Sequence, residues 1–111
     1  MNEPRARELV ARERARIESA LAELGGEIRA EGSLGRQQTG EYADAGSTSV
    51  AVALEADLRE QLAAVGRAEE RIAGGTYGRS VESGIPIPDD RLEAEPLAER
   101  TIEEQRLYER R

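Results

Sequence analysis

The sequence contains no cysteine and no histidine. Their absence excludes disulfides, zinc sites with thiolate or imidazole ligands, and the Ser-His and Cys-His systems of nucleophilic enzymes. Because these classes cover much of the common chemistry of small proteins, we expect a protein that is not an enzyme.

Aromatic side chains are also scarce, since the chain has no Phe, no Trp and only three Tyr. Its apolar residues are almost all Ala, Leu, Ile and Val, which suit the narrow apolar stripes of packed helices. A single domain of 111 residues buries little surface, so some further interaction has to support its core. The composition predicts a mostly α-helical protein.

The net charge of −7 argues against DNA binding through phosphate neutralisation, which needs a basic face. No apolar run approaches the roughly 20 residues of a membrane span. The N-terminal stretch "MNEPRARELV" lacks the apolar core of a signal peptide. We therefore expect a cytoplasmic protein that contacts neither membranes nor specific DNA sequences.

Two segments carry apolar residues at helical spacing, and they predict an antiparallel coiled-coil hairpin over residues 1–74. The glycine-rich stretch "EGSLGRQQTGEYADAGST" lies between them and predicts a tip loop at about residues 31–48. A further helix is expected from Leu97 to about Tyr108. The predicted apolar seam consists of Val10, Ile17, Leu21, Leu24 and Ile28 in the first arm, and Val50, Leu54, Leu58, Leu62, Val65 and Ile72 in the second.

The stretch "ERIAGGTYGRSVESGIPIPDDRLEAEPLAERTIEEQ", residues 70–105, resembles the C-terminal zinc-finger module of the DksA/TraR family. The four cysteine positions of the family pattern are occupied here by Ser80, Ser83, Thr101 and Glu104. Positions that match the pattern are Ile72, Gly75, Tyr77, Gly78, Gly84, Ile85, Ile87, Arg91, Leu92, Ala94 and Pro96.

Hydroxyl groups are poor zinc ligands and one carboxylate does not complete a tetrahedral site, so we predict no bound zinc. Residues 75–111 should then form a zinc-less finger followed by a C-terminal helix. Hydrogen bonds from Ser80, Ser83 and Thr101 to backbone groups should replace part of the metal's contribution. A small apolar cluster should supply the rest, made of Val81, Ile85, Ile87, Leu92, Leu97 and Ile102.

The resemblance implies a regulator that binds bacterial RNA polymerase by inserting the hairpin into its secondary channel. The family's acidic tip pattern, D-x-x-D-x-A, corresponds to "EYADAG". Glu41 and Asp44 take the two Asp positions, Ala45 follows, and Gly46 takes the Ala position. These four residues are the predicted polymerase-contacting tip, because exposed carboxylates can approach a basic or magnesium-bearing pocket.

Some members of the family respond to the nucleotide ppGpp through basic residues. The corresponding positions hold Ala64, Glu95 and Gln105. Because none of these is basic and Glu95 would repel a polyphosphate, no ppGpp response is expected.

Two other hypotheses stay open from the sequence. The chain could be an adaptor or dimerisation protein that kept the scaffold without binding polymerase. Alternatively, the carboxylates Glu99, Glu103 and Glu104 could bind a metal ion.

Overall fold

The computed structural model describes the backbone of residues 1–38 and 45–111 and the side chains of residues 1–25 and 49–111. Four helices follow one another: α1 (Glu3–Gln38), α2 (Ala45–Gly74), α3 (Asp89–Ala94) and α4 (Ile102–Glu109). The described residues contain no β-strand, and their one isolated antiparallel bridge pairs Arg79 with Pro86. The predicted mostly helical fold is confirmed. No helix in these ranges is long and apolar enough to cross a membrane.

The chain divides into two compact units, one of residues 1–13 and 64–111 and the other of residues 14–63. We call them the finger unit and the arm unit. The predicted boundary at residue 74 coincides with the end of α2, but the finger unit also takes in the first turns of α1 and the last turns of α2.

The core of the finger unit is built from three parts of the sequence. The start of α1 lies beside the end of α2, as shown by a small cavity lined by Arg7, Glu69, Ile72 and Ala73. Burial of aliphatic side chains is the main stabilising contribution available to so small a unit. Its buried apolar residues are Ala6, Leu9 and Val10 of α1, Val65, Ala68 and Ile72 of α2, Ile87 of the following loop and Leu92 of α3.

In the arm unit α1 and α2 are neighbours as well. Nη2 of Arg16 donates a hydrogen bond to Oε1 of Gln61 at 3.3 Å, and Ile17, Leu24 and Leu58 are buried. Ion pairs between residues four apart, such as Arg14 with Glu18, lie on the outer faces and add a few tenths of a kcal/mol each.

The predicted seam is correct for most positions and wrong for two. Val10, Ile17 and Leu24 in α1 and Leu58, Val65 and Ile72 in α2 are buried, and Leu21 and Leu62 are half-buried. In contrast, Val50 and Leu54 are exposed. The prediction is wrong for them because regular spacing identifies an apolar stripe on a helix but not the part of the stripe that a neighbouring helix covers. Ile28 lies outside the described side chains.

Helix α1 continues to Gln38 and α2 begins at Ala45, so residues 31–38 and 45–48 are helical where a loop is predicted. Glycine costs about 1 kcal/mol inside a helix, but extending a helix that already exists needs no new nucleation. Good helix formers such as Glu31, Leu34 and Gln37 can therefore carry α1 past Gly32 and Gly35. Residues 39–44 lie outside the described residues.

The C-terminal helix begins later than predicted, at Ile102 instead of Leu97. The sequence signal for this start is a capping box, in which Thr101 and Glu104 satisfy each other's backbone N–H groups. The short helix α3, with Asp89 and Asp90 in its first turn, was not predicted, because six residues are too few to show a helical period.

The burial pattern predicts how the finger unit responds to loss of side-chain volume. Leu92 is fully buried, whereas Val81 is 50% exposed. We expect Leu92→Ala to lower the free energy of unfolding by about 2–5 kcal/mol, because it leaves a cavity. The matched variant Val81→Ala should cost less than about 1 kcal/mol. Urea unfolding followed by circular dichroism measures both, and equal losses would contradict this core.

Candidate functional site

The loop between α2 and α3 folds back on itself and brings Ser80 close to Ser83. Ser80 N donates to Ile85 O at 2.9 Å, and Ile87 N donates to Gly78 O at 2.7 Å. Gly78 has a φ of 87°, a left-handed conformation that favours glycine. A Cβ on Gly78 would also lie 3.5 Å from Cδ1 of the buried Leu92, so the turn packs directly on the core.

The hydroxyl of Ser80 organises this turn from inside. Ser80 is only 5% exposed, and its Oγ accepts hydrogen bonds from the N–H groups of Glu82 at 3.1 Å and Ser83 at 3.3 Å. Ser83 Oγ in turn accepts from Ile85 N at 3.3 Å. Two hydroxyls thus satisfy backbone donors that a tight turn would otherwise leave unpaired.

A second pair of polar side chains stands at the start of α4. Thr101 Oγ1 accepts a hydrogen bond from Glu104 N at 3.2 Å, and Glu104 Oε1 accepts one from Thr101 N at 3.0 Å. The hydroxyls of Ser80 and Ser83 also interact with the Glu104 carboxylate and lower its pKa. The structure therefore brings together all four positions at which the family pattern has cysteine. We call Ser80, Ser83, Thr101 and Glu104 the hydroxyl–carboxylate cluster.

The cluster favours a charged carboxylate. The Ser80 hydroxyl, the Thr101 N–H and the Ser83 hydroxyl lower the pKa of Glu104 to about 2, because each stabilises the ionised form of the carboxyl. Glu104 thereby ties the loop of residues 80–83 to the first turn of α4. That connection is the one a metal ion makes when its ligands come from these two segments.

These residues do not fit a zinc ion. The four positions supply three neutral hydroxyls and one carboxylate, and the carboxylate is already engaged by hydrogen-bond donors. The carboxylate metal site considered for Glu99, Glu103 and Glu104 is not assembled either. Glu99 binds Arg67 and Arg71 instead, and the described part of the chain holds no group of three potential ligands.

Ion pairs and hydrogen bonds fasten the segment before α4 to α2. Glu99 Oε2 lies 3.0 Å from Arg67 Nε and 3.0 Å from Arg71 Nη1. Burial raises the pKa of Glu99, but the hydrogen bond and charge of Arg67 and the charge of Arg71 outweigh it, so the pKa falls below its ordinary value. The backbone of Glu99 accepts from Val81 N at 2.9 Å, and Tyr77 Oη donates to Pro96 O at 2.7 Å.

Arg91 and Arg100 make further contacts next to the cluster. Arg91 Nε donates to the carbonyl oxygen of Arg100 at 3.0 Å. The guanidinium of Arg100 pairs with Glu82 and lies over the ring of Tyr108, 3.8 Å from its centroid, a cation–π geometry.

The predicted apolar cluster of the finger is only partly formed. Ile87 and Leu92 are buried and Leu97 is half-buried, but Val81, Ile85 and Ile102 are 50%, 56% and 44% exposed. They were expected to replace the metal by packing, and that expectation is wrong for these three. Of the four positions that correspond to cysteine, only Ser80 is buried.

Two features were missed from the sequence. The first, the capping box at Thr101 and Glu104, has a recognisable T-x-x-E signal. The second is the ion pair of Arg5 with Glu93, in which Arg5 Nε donates to Glu93 Oε2 at 2.8 Å and lowers the pKa of Glu93. The sequence spacing of Arg5 and Glu93 does not predict this ion pair.

The side chains predicted to form the polymerase-contacting tip lie outside the described side chains. Glu41 and Asp44 lie outside the described residues, and Ala45 and Gly46 are the first residues of α2, with side chains outside the described set. Their role stays a prediction.

Comparison with known proteins gives two kinds of similarity, and no family model matches the chain. The RNA polymerase-binding transcription factor DksA of Caulobacter vibrioides is 36% identical over 75 residues, which are 64% of this chain and 53% of that protein. General stress protein 16O of Bacillus subtilis is 47% identical over 47 residues, 42% of this chain and 29% of that protein. The aligned region thus spans about half the length of the Caulobacter relative and less than a third of the Bacillus relative.

Among solved structures, the transcription factor DksA2 of Pseudomonas aeruginosa is similar over nearly the whole chain. The match has a TM-score of 0.79 and 27% identity, and it covers 97% of this chain and 83% of that one. The backbone arrangement is therefore shared although this sequence has no cysteine.

The low pKa of Glu104 predicts a pH-dependent contribution to stability. A carboxyl whose pKa in the folded state lies below its unfolded value stabilises the fold at higher pH, and this contribution is lost as the pH falls. From neutral pH to about 4.5, Glu104→Gln should melt below the wild type, and the gap should narrow toward pH 2. Glu103→Gln, which removes the same charge from the same turn of α4, is the control. Melting curves across this range check it, and a gap independent of pH would contradict the role of the charge.

The converging side chains also predict that a zinc site can be rebuilt. The variant Ser80→Cys/Ser83→Cys/Thr101→Cys/Glu104→Cys should bind zinc through four thiolates, because the backbone already holds these positions together. A chelator should then lower its melting temperature and leave that of the wild type unchanged. Metal analysis and melting curves measure both effects. A wild-type protein destabilised by chelator would overturn the zinc-less interpretation.

Proposed function

From the premise that this chain belongs to the DksA-like family, we propose that it regulates transcription by binding bacterial RNA polymerase. The observation that carries the proposal is the backbone similarity to DksA2, which extends over 97% of the chain. It is supported by the similarity to the Caulobacter relative, an RNA polymerase-binding transcription factor. The proposed activity is regulatory and not enzymatic, and the proposed location is the cytoplasm, where polymerase is found.

The loss of cysteine does not weaken this proposal. The finger unit keeps its turns and its link to α4 through the hydroxyl–carboxylate cluster. A surface that depends on the shape of this unit can therefore persist without a metal.

We further propose that the chain acts through the secondary channel of polymerase. Helices α1 and α2 flank residues 39–44, which hold Glu41 and Asp44. A hairpin that carries these carboxylates into the channel would bring negative charge near the basic and magnesium-bearing active-site region. With a net charge of −7, direct sequence-specific DNA binding is not part of the mechanism.

A response to ppGpp is not part of the proposal. Of the three positions aligned with the family's basic residues, Glu95 is exposed and its carboxylate lies 3.4 Å from Arg91 Nη1. A polyphosphate would have to displace or repel that carboxylate, which electrostatics disfavours.

The tip mechanism predicts that binding and regulation can be separated. Glu41→Ala/Asp44→Ala should bind core RNA polymerase within about threefold of wild type, since tip charges add little to a docked surface. Its effect in multi-round transcription should be lost. Glu60→Ala/Glu70→Ala, which removes two exposed carboxylates from α2, should keep both properties.

The same assay separates the alternatives. If the wild type binds and regulates but the tip variant regulates equally well, the acidic tip is wrong and polymerase binding stands. If the wild type does not bind, the polymerase role fails and the adaptor hypothesis replaces it.

A further inference from the structure

A groove of about 610 Å³ lies in the finger unit, between the loop after Ile85, α3 and the start of α4. We call it the α3–α4 groove. Its walls are largely apolar, and two of them, Ile85 and Ile102, are 56% and 44% exposed. The lining residues are Ile85, Pro86, Pro88, Asp90, Arg91, Ala94, Glu95, Thr101, Ile102 and Glu103.

The charges of the groove are unbalanced. Its one cation, Arg91, is occupied, because Nε donates to Arg100 O at 3.0 Å and Nη1 lies 3.4 Å from Glu95 Oε2. Asp90 accepts a hydrogen bond from the backbone N–H of Arg91 at 3.0 Å, but this neutral donor does not balance its negative charge. Among the described residues neither Asp90 nor Glu103 forms an ion pair. The groove therefore combines an apolar floor with free negative charge.

This combination restricts the class of occupant. Nucleic acids and anionic lipid surfaces carry negative charge and would be repelled. A compact small molecule needs a more enclosed pocket than this open groove. The half-exposed isoleucine side chains are better suited to a polypeptide segment that packs its own apolar side chains against them. Segments with a large apolar residue beside Arg or Lys supply both missing interactions, and Arg is enriched at protein–protein contacts.

We propose that the α3–α4 groove is a docking site for a basic, apolar-tipped segment of a protein partner. Its occupant places an aliphatic or aromatic side chain against Ile85 and Ile102 and a cation beside Asp90 and Glu103. The inference rests on the proposed function only for the identity of that partner, RNA polymerase. The contact is additional to the hairpin tip, because the groove belongs to the finger unit and is built without residues 39–44.

The groove is tested first without polymerase. The isotope-labelled full-length chain is titrated by NMR with a synthetic helical peptide of Arg and Leu, and separately with the same peptide carrying Glu for Arg. The Arg peptide should shift resonances of the groove, and the Glu peptide should not. Asp90→Asn/Glu103→Gln should weaken Arg-peptide binding about tenfold at low salt. Glu60→Gln/Glu70→Gln has the same change in net charge and should bind like the wild type.

Equal binding of both peptides, or shifts away from the groove, would overturn the docking site. Binding of the same variants to core polymerase then identifies the partner. Weaker binding by Asp90→Asn/Glu103→Gln alone supports polymerase as the occupant's source, and unchanged binding refutes it. A wild type that binds the Arg peptide but not polymerase leaves the groove standing and refutes the proposed function.

Discussion

The polar interactions of the Glu104 carboxylate with Ser80, Ser83 and Thr101 connect the two segments from which the finger is made. Ser80 and Ser83 come from the loop after α2, and Thr101 caps α4. Without a link between these segments, a short loop and an eight-residue helix would each be too small to hold their own shape. The Glu104 carboxylate supplies this link because its two oxygens can interact with several donors at once. Its charge makes each of those interactions stronger than one with a neutral acceptor.

A hydrogen-bonded link differs from a metal in how much support it needs. Metal–thiolate bonds fix their ligands and can fold a small module on their own, whereas each hydrogen bond adds only about 1 kcal/mol net. Accordingly, the finger depends on its surroundings: Glu99 pairs with Arg67 and Arg71 on α2, and Tyr77 is anchored to Pro96 O. Together with buried Leu92, these bonds make the end of the hairpin and the finger one compact unit.

The sequence predicted the helical class, the buried seam from Val10 to Leu24 and the positions that stand in for cysteine, because each depends on a local pattern. It did not predict the exposure of Ile85 and Ile102. Which aliphatic residues of a short loop are covered depends on contacts between distant segments, and only the three-dimensional arrangement shows this. The Arg5–Glu93 pair escaped for the same reason, since no periodicity relates residues so far apart. Thr101 and Glu104 are different, because the sequence carries the T-x-x-E signal of their capping box.

The exposed isoleucines and the hydroxyl–carboxylate cluster are connected through Thr101, which belongs to the cluster and lines the α3–α4 groove. When ligand positions become hydroxyls and a carboxylate, the polar groups have to face one another to be satisfied, and the finger is then closed by polar bonds where packing was expected. Ile85 and Ile102 lie at the surface of this unit, beside Asp90 and Glu103. Exposed apolar area of this kind is unfavourable in a free monomer unless a partner covers it. The proposed docking surface for a basic protein segment is therefore built on the same two segments that hydroxyl and carboxylate groups connect without a metal.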